Sequence, residues 1–176
     1  AMSYALTPTH SQLYAAFRAW LLWVLPEGTQ VVQGQQNRVA SPRASFVTML
    51  ITGSERLATA GWRYSATTRD VTEAAQLSLQ LGVFGPGAHE HVQALAALWR
   101  DTQAVDFFAG QNIPLSPLYV SQARQVPQSD GEHQYQACWM LDLAMQVTFS
   151  LSVPQDFATT MSAATVLADI PHPSEE

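Results

Sequence analysis

Between residues 135 and 153, in YQACWMLDLAMQVTFSLSV, every odd position is apolar: Tyr135, Ala137, Trp139, Leu141, Leu143, Met145, Val147, Phe149, Leu151 and Val153. The even positions are mostly polar or small. Because successive side chains of a strand point to opposite faces, period-two alternation predicts a half-buried antiparallel strand. Strands usually run roughly 5–6 residues, and one this long would reach about 60 Å if straight.

The period changes elsewhere along the chain. From residue 9 to 25, Leu13, Ala16, Phe17, Trp20, Leu21 and Val24 recur at three- and four-residue steps, predicting an amphipathic helix that Pro26 and Gly28 end. GQQNRVASPRAS, residues 34 to 45, has no sustained period and reads as a long exposed loop. SFVTMLITGS (45 to 54) and WRYSATTR (62 to 69) predict two strands joined as a hairpin around Ala60 and Gly61. A further strand follows from Ala75, Leu77, Leu79, Leu81 and Val83, stopped by GPG.

After Gly87 the stripe Ala88, Val92, Leu95, Leu98 and Trp99 predicts a helix reaching about Gln103, with AVDFFAG adding a short helical turn. PLYVSQA (117 to 123) predicts a strand joined to the long one through the polar turn PQSDGEH, and TMSAATVLADI a last strand. Helices set among antiparallel strands define an α+β fold, a mainly antiparallel twisted sheet carrying two principal helices. With no internal repeat and a length suited to one core, a single domain over residues 3–170 is expected, with residues 171–176 as a fraying tail.

Composition narrows the function. The formal net charge is -6, and the eight basic residues, all Arg, are scattered without a run. Sequence-independent nucleic-acid binding needs a dense basic patch, so direct DNA or RNA binding is not expected. YAAFRAWLLWVLP, broken by Arg18 and ended by Pro26, falls short of the roughly 20 apolar residues that cross a bilayer, so a soluble protein is expected. The single cysteine, Cys138, precludes an intrachain disulfide and fits an intracellular compartment. Only 12% of residues are charged, about half the usual share. Arg without Lys suits bidentate contacts at protein interfaces, and compositional drift explains it equally well.

The search for chemistry returns little. His89 and His91 sit two apart at a helix start, whereas helical zinc pairs sit four apart, so no metal site is assigned and the two read as solvated first-turn residues. Cys138 lies one step out of phase with the apolar row of its strand, which allows exposure, but no nucleophile signature surrounds it. FGPGAH is Gly-rich without a Lys and reads as a strand-to-helix turn whose N–H groups could hold an anion. Asp101, Asp106 and Asp142 are not arranged as an acid/base pair. No catalytic residue and no cofactor are assigned. Asp142 interrupts the strand between Met140 and Ala144, where a charge could pair with an Arg across a sheet or across subunits.

Taken together, LSLQLGVFGPGAHEHVQALAALWRD (77 to 101), PLYVSQARQVPQ (117 to 128) and QYQACWMLDLAMQV (134 to 147) resemble the neck terminator, or tail-completion, proteins of long-tailed bacteriophages. The shared elements are a strand ending in a Phe-Gly-Pro turn, a helix ending Leu-Trp-Arg-Asp, a Pro-Leu-Tyr segment, an Arg-Gln-x-Pro, and a Gln-Tyr strand with a Trp. The likeness extends from about residue 13 to 170. Two positions depart from it: Gly82 stands where a polar or acidic residue is expected, and Cys138 where an Arg is expected.

The resemblance implies a structural virion protein that caps a finished tail tube and joins it to the head connector. It implies a small α+β subunit assembled as a hexameric ring, located in the tail or neck and made in the host cytoplasm. The long strand would then serve the subunit's own core at one end and a neighbour or tail partner at the other. Interface candidates are Arg38, Arg43, Arg124, Gln125 and Asp142, the first four in the polar segments 33 to 45 and 122 to 133. Two rivals stay open: another connector or minor tail protein, and a ligand binder or enzyme with Trp62, Tyr64, Trp139 and Phe149 lining a cavity.

Overall fold

The computed structural model describes residues 4–34, 45–129, 135–156, 158 and 160–164. The chain opens on a short strand, β1 (Ala5–Thr7), and enters helix α1 (His10–Val24) through a capping box. Thr9 Oγ1 accepts from the Gln12 amide at 3.3 Å and Gln12 Oε1 from the Thr9 amide at 2.7 Å, satisfying two of the N–H groups every helix start leaves open. Beyond Leu25, Pro26 cannot continue the helix, and Gly28 takes a left-handed φ of 89° that leads into β2 (Gln30–Gln33).

β3 (Phe46–Arg56), β4 (Gly61–Tyr64) and β5 (Thr68–Phe84) follow, then α2 (Ala88–Trp99) and α3 (Thr102–Gly110). β6 (Leu115–Val120), β7 (Arg124–Gln125), the small pair β8 (Gln128–Ser129) and β9 (Tyr135–Gln136), and β10 (Cys138–Pro154) complete the order. The main sheet runs β1-β10-β5-β3-β2, with β4 beside β5 and with β6 and β7 beside β10. All these pairings are antiparallel except β2 with β3. The fold is α+β, with the helices on one face.

The central pair, β5 and β10, stays in register from Cys138 opposite Phe84 to Pro154 opposite Thr68. At 17 residues each, these strands span roughly 55 Å. Their odd positions form one face: Ala75, Leu77, Leu79, Leu81 and Val83 on β5, and Leu141, Leu143, Met145 and Val147 on β10, all at most 3% exposed. The helices supply the other half of the core through Phe17, Trp20, Leu21, Leu95, Trp99 and Phe108.

Two irregularities in the sheet are bound by aromatic side chains of the helices. β3 shifts register between Ile51 and Gly53, and the Ile51 amide donates to Tyr14 Oη at 2.9 Å. β10 shifts against β6 between Leu143 and Met145, leaving Ala144 without a partner residue there; its carbonyl accepts from Trp99 Nε1 at 3.2 Å. These bonds pin α1 and α2 at places where the ladder leaves backbone groups open.

Several expectations are corrected. The 62–69 segment does not pair with β3: β4 ends at Tyr64 and returns onto β5, because Ser65 and Thr68 close a tight turn. The Ser65 amide donates to the Thr68 carbonyl at 2.9 Å in that turn. The second helix stops at Trp99, since Asp101 Oδ1 accepts from the Thr102 amide at 2.6 Å and starts α3 as a separate helix. The segment around 124 contains strand β7 rather than being loop throughout. Residues 160–164 form no strand, and the remainder of that predicted strand lies outside the described residues.

Candidate assembly surface

The face of the sheet opposite the helices carries the even positions of β5 and β10, and there the chain gathers its polar side chains. Asp142 sits at the centre. Its Oδ1 accepts from Gln80 Nε2 on β5 at 3.0 Å, and its Oδ2 lies 3.3 Å from Arg124 Nη2 on β7. Its backbone is held by Ser121, whose Oγ accepts from the Asp142 amide at 3.0 Å and whose amide donates to the Asp142 carbonyl at 2.9 Å. A second polar link crosses the same face, from Gln76 Nε2 to Tyr119 Oη at 2.7 Å.

Of the two pairings open to Asp142, the one across the sheet is present. Arg124 stands opposite Met140 and Gln125 opposite Trp139, so β7, only two residues long, delivers the guanidinium to the carboxylate. The side chains are 57% and 33% exposed, so the pair contributes at most about 1 kcal/mol. The Arg124 side chain is more than half exposed, and Gln125 beside it is exposed. Arg38 and Arg43 lie outside the described residues.

Cys138 is 1% exposed, which corrects the reading that its phase allows exposure. At this end of the sheet both faces are covered: Cys138 lies opposite Phe84, whose ring stacks on Phe46 with centroids 4.4 Å apart. Burial pushes the thiol up from its ordinary range, the opposite of what a nucleophile needs. The same cluster accounts for Gly82, since a Cβ there would stand 2.6 Å from Thr48 Oγ1 and 2.9 Å from Phe84 Cε2.

His89 and His91 face different surroundings. His89 is exposed and packs on Trp139 at 4.7 Å between ring centroids, while the ring of His91 lies by Gly87. Among the described residues no three His, Cys, Asp or Glu side chains gather as a metal site would require. The turn before α2 is tied into the fold: the Gly85 amide donates to the Ala137 carbonyl at 3.1 Å and Ser45 Oγ to the Pro86 carbonyl at 3.0 Å.

The aromatic residues proposed to line a cavity do not converge. Trp62 lies opposite Val71 and Trp139 opposite Val83, twelve residues and therefore about 40 Å apart along β5. An open groove of about 570 Å³ runs between β1, the start of α1 and the turn after α3, and none of its lining residues is charged. Its hydroxyls, Thr7, Thr148 and Ser150, have no titratable side chain among the lining residues to activate them.

The geometry is that of an α+β fold with helices on one face of a long antiparallel strand pair and cross-strand polar links on the other. The phage neck terminator protein family matches residues 11–169, and the chain belongs to that family of structural bacteriophage tail proteins. No curated protein sequence matches. Among solved structures, the chain is similar to the PVC sheath/tube terminator of an extracellular contractile injection system in its extended state, by cryo-electron microscopy. That similarity has a TM-score of 0.48 and 13% identity, covering 96% of this chain and 66% of that one. The chain thus spans just under two thirds of that relative's length.

Proposed function

We propose that the protein caps the end of a phage tail tube as an oligomeric ring, ends tail polymerisation and joins the tail to the head connector. Family membership over residues 11–169 carries the reading. The helical layer supports it: α1, α2 and α3 contain one Asp, Glu, Lys or Arg residue apiece, Arg18, Glu90 and Asp106. Solvated surfaces usually hold roughly 25–35% charged residues, and low charge suits surfaces that become buried.

The ring is taken as a hexamer assembled in the host cytoplasm from the domain of residues 3–170, its partners being the tail tube and head connector proteins. Arg38, Arg43, Arg124, Gln125 and Asp142 are assigned to contacts within the ring or with the tube. Arg124 stands exposed on the polar face with Asp142 holding it in place, and Gln125, exposed at the same short strand, faces the other side of the sheet. The test is a phage lacking this gene, which should accumulate tails that fail to join heads and recover on complementation. A triple variant, R38A/R43A/R124A, should retain its unfolding temperature yet complement poorly. Normal virion yield without the gene would overturn the role, and full complementation by the variant would overturn the contact assignment.

A further inference from the structure

One edge of β10 is paired along its whole length with β5, from Cys138 opposite Phe84 to Pro154 opposite Thr68. The other edge is closed piecemeal: β7 covers Trp139 and Met140, β6 runs beside Leu143 to Val147, and β1 covers Ser150 to Ser152. Single bonds bridge between these pieces, the Ser121 amide donating to the Asp142 carbonyl at 2.9 Å and the Thr148 amide to the Pro114 carbonyl at 3.0 Å. A strand edge of this length left open is a template on which another chain can pair.

Residues 121–127, which carry β7, close the Cys138 end of that edge with little to hold them. None of their side chains is buried, and of their apolar residues Ala123 touches the core, half-buried. Arg124 and Asp142 pair at 57% and 33% exposure, which holds only weakly in water. The remaining ties are to backbone. The Val126 amide donates to the Cys138 carbonyl at 2.9 Å, one step beyond the register of β7, and Ser121 bonds both the amide and the carbonyl of Asp142. By that register Val126, Cys138, Phe84 and Phe46 form one row across the sheet, so Cys138, 1% exposed, is flanked by Phe84 on one side and Val126 on the other. Segments with few buried contacts open locally at free energies well below that of global unfolding.

We infer that residues 121–127 form a releasable strap: it keeps the edge of β10 from Cys138 to Asp142 closed against pairing with other chains, and it opens as a unit while the core stays folded. The strap also blunts its own outer edge. β7 is two residues long, presents the exposed Arg124 and Gln125, and is followed closely by Pro127, features that discourage a further strand from adding. Cys138 reports the movement, because Val126 covers its side of the row only while the strap is seated.

The test uses the full chain. Iodoacetamide should label Cys138 in native buffer at a rate that barely changes with low urea, since a local opening exposes little surface, while amides of the β5 and β10 pair stay protected from hydrogen exchange. S121A, five residues from Val126, removes the acceptor of the Asp142 amide and should speed labelling about 2- to 12-fold at a nearly unchanged urea midpoint. V126C, opposite Cys138 at a spacing that suits a disulfide, should oxidise to a bridge with Cys138 that slows exchange of the strap amides. V126P, which lacks the donor to the Cys138 carbonyl, should form particles that grow with concentration by light scattering, where the wild type keeps one size. Labelling that rises with urea as steeply as global unfolding, or S121A labelled at the wild-type rate, would overturn the local opening. Failure of V126C to bridge would overturn the seating of Val126 on Cys138, and V126P of wild-type size would overturn the protection of the edge.

Discussion

Trp20 and Trp99 are each 1% exposed and touch edge to face with ring centroids 5.1 Å apart, yet replacing them by Phe should have unequal costs. Both substitutions lose part of an indole and part of the aromatic cluster with Phe108, whose ring lies 6.2 Å from Trp20 and 5.7 Å from Trp99. Those shared losses amount to about 1–2 kcal/mol each. Trp99→Phe also removes the donor to the Ala144 carbonyl at the register shift of β10, leaving a buried acceptor unpaired at about 1–3 kcal/mol. Trp20 Nε1 is buried with no partner among the described residues, so Trp20→Phe removes a polar group that gains nothing from folding. Trp99→Phe should therefore be less stable than Trp20→Phe by about 1–3 kcal/mol. Urea unfolding followed by circular dichroism reads this as a lower midpoint at unchanged slope. Equal midpoints, or a lower one for Trp20→Phe, would refute the assignment of the Trp99 hydrogen bond as what fastens α2 to the sheet.

Three further outcomes concern the ends of the sheet and its polar face. Because burial raises the Cys138 pKa above the ordinary 9.0, its contribution to stability is complete below the unfolded value. That contribution is lost as pH rises through the folded value, so unfolding free energy should fall above about pH 9 in the wild type and less so in Cys138→Ala. Gly85→Ala should cost about 1–3 kcal/mol, since φ is +92° and the new Cβ would meet Ser45 Cα at 3.0 Å. Gly53→Ala, with nothing within 4 Å, serves as its control and should be near neutral by thermal unfolding. Arg124→Ala and Asp142→Asn should each change unfolding free energy by less than about 1 kcal/mol, and a double-mutant cycle should give a coupling that shrinks in high salt.

The long elements were legible because their periodicity spans enough residues to be decisive. The apolar stripe from Leu13 to Val24 became α1, and the odd-position rows of β5 and β10 became the face under the helices. Short elements carried no such signal: β1, β2 and β7 hold two to four residues each and exist through their neighbours in the sheet. The boundary between α2 and α3 was hidden because apolar spacing continues across it, while the decisive residue, Asp101, also fits a solvated helix. Cys138 misled because period-two reasoning assumes one wet face, and there the Phe46 and Phe84 stack covers the face opposite the helices. Asp142 stood out as a charge in an apolar strand, but its partner could not be read from spacing, since β7 reaches it through tertiary pairing. Trp62 and Tyr64 were visible as aromatic residues of a strand; only the register of β4 on β5 places them opposite Val71 and Arg69, at the end of the sheet remote from Trp139.

The central claim, that this protein terminates tail tubes as a ring, is tested most directly by electron microscopy of purified protein mixed with tail tubes assembled without it. The account predicts a ring of discrete size at one end of each tube and no further tube growth once it is bound. Binding along the tube sides, or tubes that continue to lengthen at unchanged rate with the protein present, would contradict it.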